Sequence, residues 1–461
     1  MTSVVERDPL TTTNPSPIST PQAPERVNFA TVLRHAGFRN LWLGQVVSQI
    51  GDYFAFLALM VVVSSFSPDP ASTTRAVSGL MIAITLPRLV FGVLAGVFVD
   101  RWDRRYTMIG ADLVRAVLTL ALIPAFLAQN LWLVYALAFA LAAFGTLFNP
   151  AKGALIPTLV PTEQLTAANA LAQTSQMLST LIGPALAGAT FALVGAGNQW
   201  VAFVVNAISF LVSAVAVWLI PAVARRPAPR PAAAPDDHPL ARVWQELLVG
   251  LKALVLNRTM ATLSLVFGVT MLGIGAINVL WVVFLKTGFG FQTTELAWRL
   301  SLIDIAFSAG MVLASLVVGN FLAHIVPKRF IVWGLLVAGL ATIPLGYLPS
   351  YWGVMAVMFV VGAFVAPINT GTTSLMQIVV PNDQLGRVGA GVGTVADTAT
   401  LLSMSLAGIL GALLGIPMVF LLGGVLCAGA GILAWIFLPG LTLQDKVADP
   451  ADAQADQQLA A

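Results

Sequence analysis

The chain has 461 residues, of which 58% are hydrophobic and only 9% charged, with a mean hydropathy of +0.89. Soluble domains carry about a quarter charged residues, so a water-soluble enzyme is excluded and an integral membrane protein in the lipid bilayer is expected. No nucleic-acid partner is expected, and the formal charge of +3 hides how unevenly the charges are placed.

Residues 1–37 are polar and rich in proline, serine and threonine, with Glu6, Asp8 and Glu25 among the basic residues. That pattern lacks the basic and apolar regions of a cleaved signal peptide. It reads as a disordered cytoplasmic tail, and the first span is expected to remain as its own insertion signal.

Twelve apolar runs follow. The first six are Leu41–Phe66, Ala76–Val99, Thr107–Leu127, Leu131–Phe148, Leu165–Val194 and Trp200–Ile220. The second six are Thr259–Leu285, Leu300–Ala323, Phe330–Leu348, Trp352–Ile368, Val388–Leu414 and Ile416–Leu438. Each meets or approaches the ~20 residues that a spanning helix requires. The expected fold is all-α, with twelve transmembrane helices. Most of the 23 basic residues fall on one side if both termini are cytoplasmic, the asymmetry that fixes orientation in a cell inner (plasma) membrane. Only Arg75, Lys286 and Arg299 fall at the outer side, while Arg88 and Arg115 lie within spans.

Residues 222–257 divide the spans six and six, as bundles 38–221 and 258–439. The stretch Ala224–Pro239 is a Pro/Ala linker, and Leu240–Leu256 reads as an amphipathic surface helix. A second disordered tail covers 440–461. The halves repeat each other in sequence. Val160-Pro-Thr-Glu-Gln-Leu165 after span four returns as Val380-Pro-Asn-Asp-Gln-Leu385 after span ten, with Pro150 and Pro367 at matching ends of the preceding spans.

Between spans two and three stands Gly96-Val-Phe-Val-Asp100-Arg101-Trp-Asp103-Arg104-Arg105. Two spans joined so closely form an antiparallel hairpin, and its arginines are expected in the cytoplasm. This stretch resembles the loop signature of the major facilitator superfamily, with a decayed echo at Gly319 and Lys328-Arg329, where Ala323 stands in for the aspartate. The resemblance implies two pseudo-symmetric six-helix bundles working by alternating access. It also implies a cytoplasmic latch of Gly96, Asp100, Arg101, Arg104 and Arg105 against the start of span eleven near Arg387. Family members often carry glycine where this chain has Asp103. Gly183-Pro184-Ala-Leu-Ala-Gly188 in span five resembles the antiporter motif of the superfamily. With Ala168-Asn169-Ala170, Gly51-Asp52 and Asp112-Leu-Val-Arg115, it is similar to the macrolide-efflux and enterobactin-exporter branch.

Six ionisable residues fall within spans: Asp52, Arg88, Asp112, Arg115, Asp304 and Asp397. Each costs at least ~2.5–3.5 kcal/mol at mid-bilayer, so each is expected to face protein or water. Asp112 and Arg115 stand three apart on one helix and are placed to pair. Asp304 shares a face with Ser301 and Ser308 near the outer end of span eight. In span one Gln45, Ser48, Gln49 and Asp52 form one polar stripe at helical spacing, which reads as the lining of a watery cavity. Asp52 lies roughly 18 Å from the cytoplasmic end at 1.5 Å per residue and is the candidate proton-coupling site. Asn206, Asn278 and Trp281 are further cavity candidates.

Spans two and eleven carry matching stripes, Arg88, Gly92, Gly96 and Gly389, Gly393, Asp397, at four-residue steps. Laid antiparallel they bring Arg88 to Asp397, at depths of about 18 and 15 Å. This contact would bridge the halves when the cytoplasmic side is shut. Asp52 is the rival partner of Arg88.

The sequence contains no phosphate loop and no cluster with metal-ligand spacing, so neither a cofactor nor a metal is expected. Cys427, the single cysteine, excludes an intrachain disulfide. A gradient must then drive transport, unless it is passive. The expected function is export of a small, mostly apolar substrate in exchange for protons, by a monomer. Export of a siderophore or other metabolite is the alternative within transport. A non-transporting sensor or lipid-handling protein on the same scaffold is the alternative outside it.

Overall fold

With no water in the hydrocarbon core, every backbone amide must be satisfied inside its own segment, and a helix does this without a partner. A computed structural model describes residues 29–66, 69–195, 198–220, 256–291, 293–321, 325–381 and 384–441. Its first helix is the short α1 Phe29–Leu33. The long helices of the first half are α2 Ala36–Ser65, α3 Pro70–Arg101, α4 Arg104–Leu127, α5 Leu131–Leu159, α6 Leu165–Val194 and α7 Trp200–Trp218. Those of the second half are α8 Arg258–Phe289, α9 Thr293–Phe321, α10 Pro327–Thr342, α11 Tyr351–Val379, α12 Leu385–Leu414 and α13 Ile416–Phe437. All twelve from α2 onward contain stretches long and apolar enough to cross a membrane, and the described residues contain no strand.

Capping residues set several of the helix starts. Asp103 accepts hydrogen bonds from the backbone N–H groups of Arg105 and Tyr106 at 3.0 Å each and so caps α4. Asn130 caps α5 and Asn257 caps α8 in the same way. Before α3, Asp69 accepts from the Ser72 N–H at 2.9 Å, and the Ser72 bonds hold its exposed carboxylate below the usual range.

Three boundaries differ from expectation. Helix is present before residue 38. In α1, Val32 is fully buried, and it shares an apolar cluster with Phe38 and Leu159, because Phe29, Val32 and Leu33 give this stretch an apolar face that the polar tail before it lacks. α5 continues past Phe148 to Leu159 through Pro150 and Pro157, and α11 continues past Ile368 to Val379. Proline in a spanning helix loses one backbone bond without ending the helix, since neighbouring helices hold it in place. Lys152 therefore lies within α5 and not in a loop. Residues 1–28, 221–255 and 442–461, which include most of both expected tails and nearly all of the expected amphipathic helix, lie outside the described residues.

Packing repeats between the halves. α2 packs on α7 and α6, α3 on α5, and α4 on both α5 and α7. Six helices later, α8 packs on α13 and α12, α9 on α11, and α10 on α11 and α13. The principal contacts between halves obey the same relation, α3 with α12 and α6 with α9. These are two parallel repeats related by an axis along the bundle.

The side at which α3 gives way to α4, beside Arg104 and Arg105, is termed the basic face. Apolar clustering differs sharply between the two ends. At the far face one core joins both halves, including Leu59, Val62 and Leu80 from the first and Leu280, Leu296 and Phe420 from the second. At the basic face there are two separate cores. One is built around Phe38, Met108 and Leu155, the other around Leu263, Leu335 and Leu375. Among the described residues the bundle is closed at the far face and parted at the basic one.

Candidate functional site

The parted halves enclose a cavity of about 540 Å³. Its walls are mainly apolar, with Phe56, Met60, Phe307, Met358 and Met404 among them. Asn278 and Trp281 of α8 lie in this wall, as do Asp304 of α9 and Arg88 of α3. Trp281 packs nearly perpendicular to Phe420, centroids 5.2 Å apart, which fixes the indole in the wall. Asp304 is partly buried, and it has no hydrogen-bond or ion-pair partner among the described residues.

Beside this cavity a more polar cleft of about 720 Å³ is lined by Asp52, Arg88, Arg115, Asn149 and Gln176. Here α2, α4 and α7 assemble a charge cluster. Arg115 reaches both oxygens of Asp52 through Nη2, at 3.0 and 3.2 Å, and its Nη1 lies 3.5 Å from Asp112. The Phe210 ring packs 3.9 Å from the guanidinium carbon. Asp112 is wholly buried, with Ser213 beside it, while the Asp52 side chain is 45% exposed toward the cleft. Asn206, fully buried, stands behind Asp52, so it supports the cluster and does not line the cavity. The approach of α7 requires Gly51: a Cβ there would overlap the Ser209 side chain and come within 2.7 Å of Asn206 Oδ1.

The pairing i to i+3 within α4 is thus present, but the closer partner of Arg115 is Asp52. That contact also removes Asp52 as the partner of Arg88. Arg88 is exposed, forms no ion pair among the described residues, and lies within the field of Asp397 across the cleft. Gly92 and Gly393 are both open, since a Cβ added at either would meet nothing within 4 Å. Arg88 and Asp397 are therefore on facing helices whose described contacts lie toward the far face, where Gly408 approaches Arg75 and Gly411 approaches Thr74.

The polar stripe of α2 does not line the central cavity as a whole. Gln45 and Gln49 turn toward α5 and α6, onto a pocket of about 20 Å³ shared with Trp42, Lys152 and Ser175, whereas Asp52 faces the larger cleft. The cause is position in the bundle. α2 packs on α6 and α7, so its polar face is split between an interior seam and the cleft. Trp42 Nε1 donates to Ser175 Oγ at 2.6 Å across that seam.

Arg104 and Arg105 act within the first half. Arg104 Nη1 donates to the Ala154 carbonyl at 2.9 Å, and Arg105 Nε to the Val217 carbonyl at 3.0 Å, with a further bond to Trp218 O. Arg105 thus satisfies carbonyls at the C-terminus of α7, where a cation is also favoured by the helix dipole. Gly96, Asp100, Arg101 and Arg387 belong to α3 and α12, but their side chains lie outside the described residues.

Gly183, Pro184 and Gly188 lie in α6 at two crossings. A Cβ on Gly183 would overlap the Tyr53 ring of α2, and one on Gly188 would come within 2.6 Å of Ser301 Cβ in α9. Ser308 Oγ of α9 donates to the Thr180 carbonyl of α6 at 2.9 Å, which adds a direct bond between the halves. At the far face Lys286 Nζ donates to the Ser64 carbonyl at 2.6 Å, a second such bond.

Two stretches of the chain, residues 41–273 and 263–458, match the profile of the Major Facilitator Superfamily. Macrolide efflux protein A of Streptococcus pyogenes is 28% identical over 394 residues, 84% of this chain and 93% of that protein. An uncharacterized MFS-type transporter of Bacillus subtilis is 27% identical over 409 residues, covering 87% and 93% of the two chains. Among solved structures, a bacterial homologue of the iron transporter ferroportin in an inward-facing state is similar with a TM-score of 0.66 at 15% identity, covering 88% of this chain and 98% of that one. The repeated packing, the cavity between repeats and these matches agree: the protein is a multi-pass membrane transporter, not an enzyme, and it belongs to the major facilitator superfamily.

Proposed function

We propose that the protein exports a small, mostly apolar compound by alternating access, in exchange for protons. One observation carries the reading: an apolar cavity of about 540 Å³ between the halves, shut at the far face by a shared core and open at the basic face. The basic face is cytoplasmic by the distribution of Lys and Arg. The present conformation is then the one that loads substrate from inside. The similarity to macrolide efflux protein A supports export of a drug-like compound.

Proton exchange falls to Asp52, which reaches the cleft and is held by Arg115. In the opposite conformation α3 and α12 close at the basic face. Gly92 and Gly96 then pack against Gly393 and Gly389, and Arg88 meets Asp397. Asp100, Arg101 and Arg387 serve as the latch that holds this closure, the carboxylate favoured at the start of a helix.

The test is flux in liposomes containing the purified protein, with a macrolide and with less apolar metabolites. The macrolide should accumulate only under an imposed pH gradient, and the flux should reverse sign with the gradient. Flux indifferent to pH would sink the antiport, and no flux for any compound would sink the transport reading of this cavity.

A further inference from the structure

The cavity wall contains one carboxylate without a partner among the described residues. Asp304 stands on α9 between Ser301 and Ser308, two positions that press on α6. Asp304 shares this mainly apolar wall with Trp281, Phe307, Ile303 and Met60, and the Tyr53 and Tyr351 side chains lie within its field. The one basic residue in the lining of this cavity, Arg88, is set toward the basic face. Counted from the far-face ends of their helices, Asp304 lies 11 residues in and Arg88 lies 18 residues in, a difference in depth of about 10 Å. Arg88 also has Asp397 opposite it. The negative end of the cavity is therefore its closed end.

An unpaired carboxylate in an apolar membrane cavity is costly and is retained where it does work. A bound cation would supply the missing charge, and the aromatic faces of Trp281 and Phe307 suit a cation further. The cavity offers a lipophilic body the methionine and phenylalanine walls it needs. We infer that Asp304 is the anchor of a binding site for lipophilic monocations, with the charged group held at the closed end and the apolar body against Met60, Phe307 and Met358. The inference rests on the export reading for its physiological meaning, and names the substrate class that reading leaves open.

Purified full-length protein in detergent is titrated with tetraphenylphosphonium and with the uncharged triphenylphosphine oxide, following tryptophan fluorescence and equilibrium dialysis. The parent should bind the phosphonium at least tenfold more tightly than the oxide. Asp304→Asn should lose that tenfold preference while binding the oxide within about twofold of the parent, which also shows that the variant is folded. Asp304→Glu should retain the preference. Equal phosphonium affinity in the parent and Asp304→Asn, or no preference for the cation in the parent, would overturn the anchor. Liposome flux separates the two claims. Binding that depends on Asp304 without transport leaves the anchor standing and removes the export reading, whereas transport with binding indifferent to Asp304 does the reverse.

Discussion

The first half holds its intramembrane charges in a closed set, with Arg115 between Asp52 and Asp112. The second half repeats the same helix packing but leaves Asp304 in the cavity wall and Asp397 in the field of Arg88, neither in an ion pair among the described residues. Duplicated backbones have therefore taken on different electrostatic roles. A charge paired within one bundle moves with that bundle and costs nothing when the halves rock. A charge left open is available to whatever enters the cavity or to the opposing half, so the second half carries the groups whose partners change. Arg88 is the exception in the first half, and it is also the one charged first-half residue in the lining of the central cavity.

The largest test of this contrast is to remove the shared cation. Arg115→Met leaves the wholly buried Asp112 without compensation, and breaking a buried pair from one side costs about 3–5 kcal/mol. The variant should lose most of its folded fraction in a detergent melting assay. Asp304→Asn and Asp397→Asn should melt at or above the parent's midpoint, because each removes an unpartnered charge from a membrane protein. A stable Arg115→Met protein would show that the cluster is not a structural unit.

A second pair of variants compares the joined and parted seams. Gly188 lies where α6 meets α9, and Gly393 lies on the open flank of α12. Gly188→Val should destabilise by about 1–3 kcal/mol, the usual cost of overpacking. Gly393→Val should leave the melting midpoint unchanged and reduce flux severalfold, since it obstructs only the closure of α3 on α12. Equal destabilisation by both would mean that the basic face is packed in solution.

The division between paired and open charges was partly written in the sequence. Runs of apolar residues gave the helices, and Asp112 and Arg115 stand three apart, so their contact needed no tertiary information. The contact from Arg115 to Asp52 bridges α4 and α2, and no local spacing encodes it. The stripe of Gln45, Ser48, Gln49 and Asp52 was legible as a polar face, but the helices covering that face are a property of the bundle. Four residues that look alike on one helix therefore serve a seam and a cleft. Arg104 and Arg105 carry a topology signal that any hydropathy reading finds. Their bonds to Ala154, Val217 and Trp218 depend on where α5 and α7 happen to end. Proline misled in one direction only: Pro150 and Pro367 stood at the expected ends of their spans, and the bundle supports both helices through them.

Coupling offers a narrower test. Asp52→Asn keeps an oxygen that Arg115 can bond but loses the charge, so the fold should survive with a change of about 1 kcal/mol or less. Flux in liposomes should then stop following an imposed pH gradient while downhill flux persists. Flux that still tracks the gradient would assign coupling to another group and leave Asp52 as a structural partner of Arg115.

The smallest effect on stability, and the sharpest on mechanism, is expected at Arg88 and Asp397. Both are accessible in the present conformation, and no ion pair joins them. Altering either should change stability by no more than about 1 kcal/mol, the range of exposed pairs. Their role belongs to the closed state, in which α3 and α12 meet along the glycine positions 92, 96, 389 and 393. Arg88→Asp alone places two carboxylates opposite each other, and Asp397→Arg alone places two guanidinium groups there, so each should oppose closure and suppress flux. The double exchange restores attraction with its direction reversed and should recover a substantial part of the flux. Cysteines at 92 and 393 should cross-link during turnover, and only weakly when substrate is absent. If the double exchange does no better than the singles and the cysteines never join, Arg88 must answer to something other than Asp397.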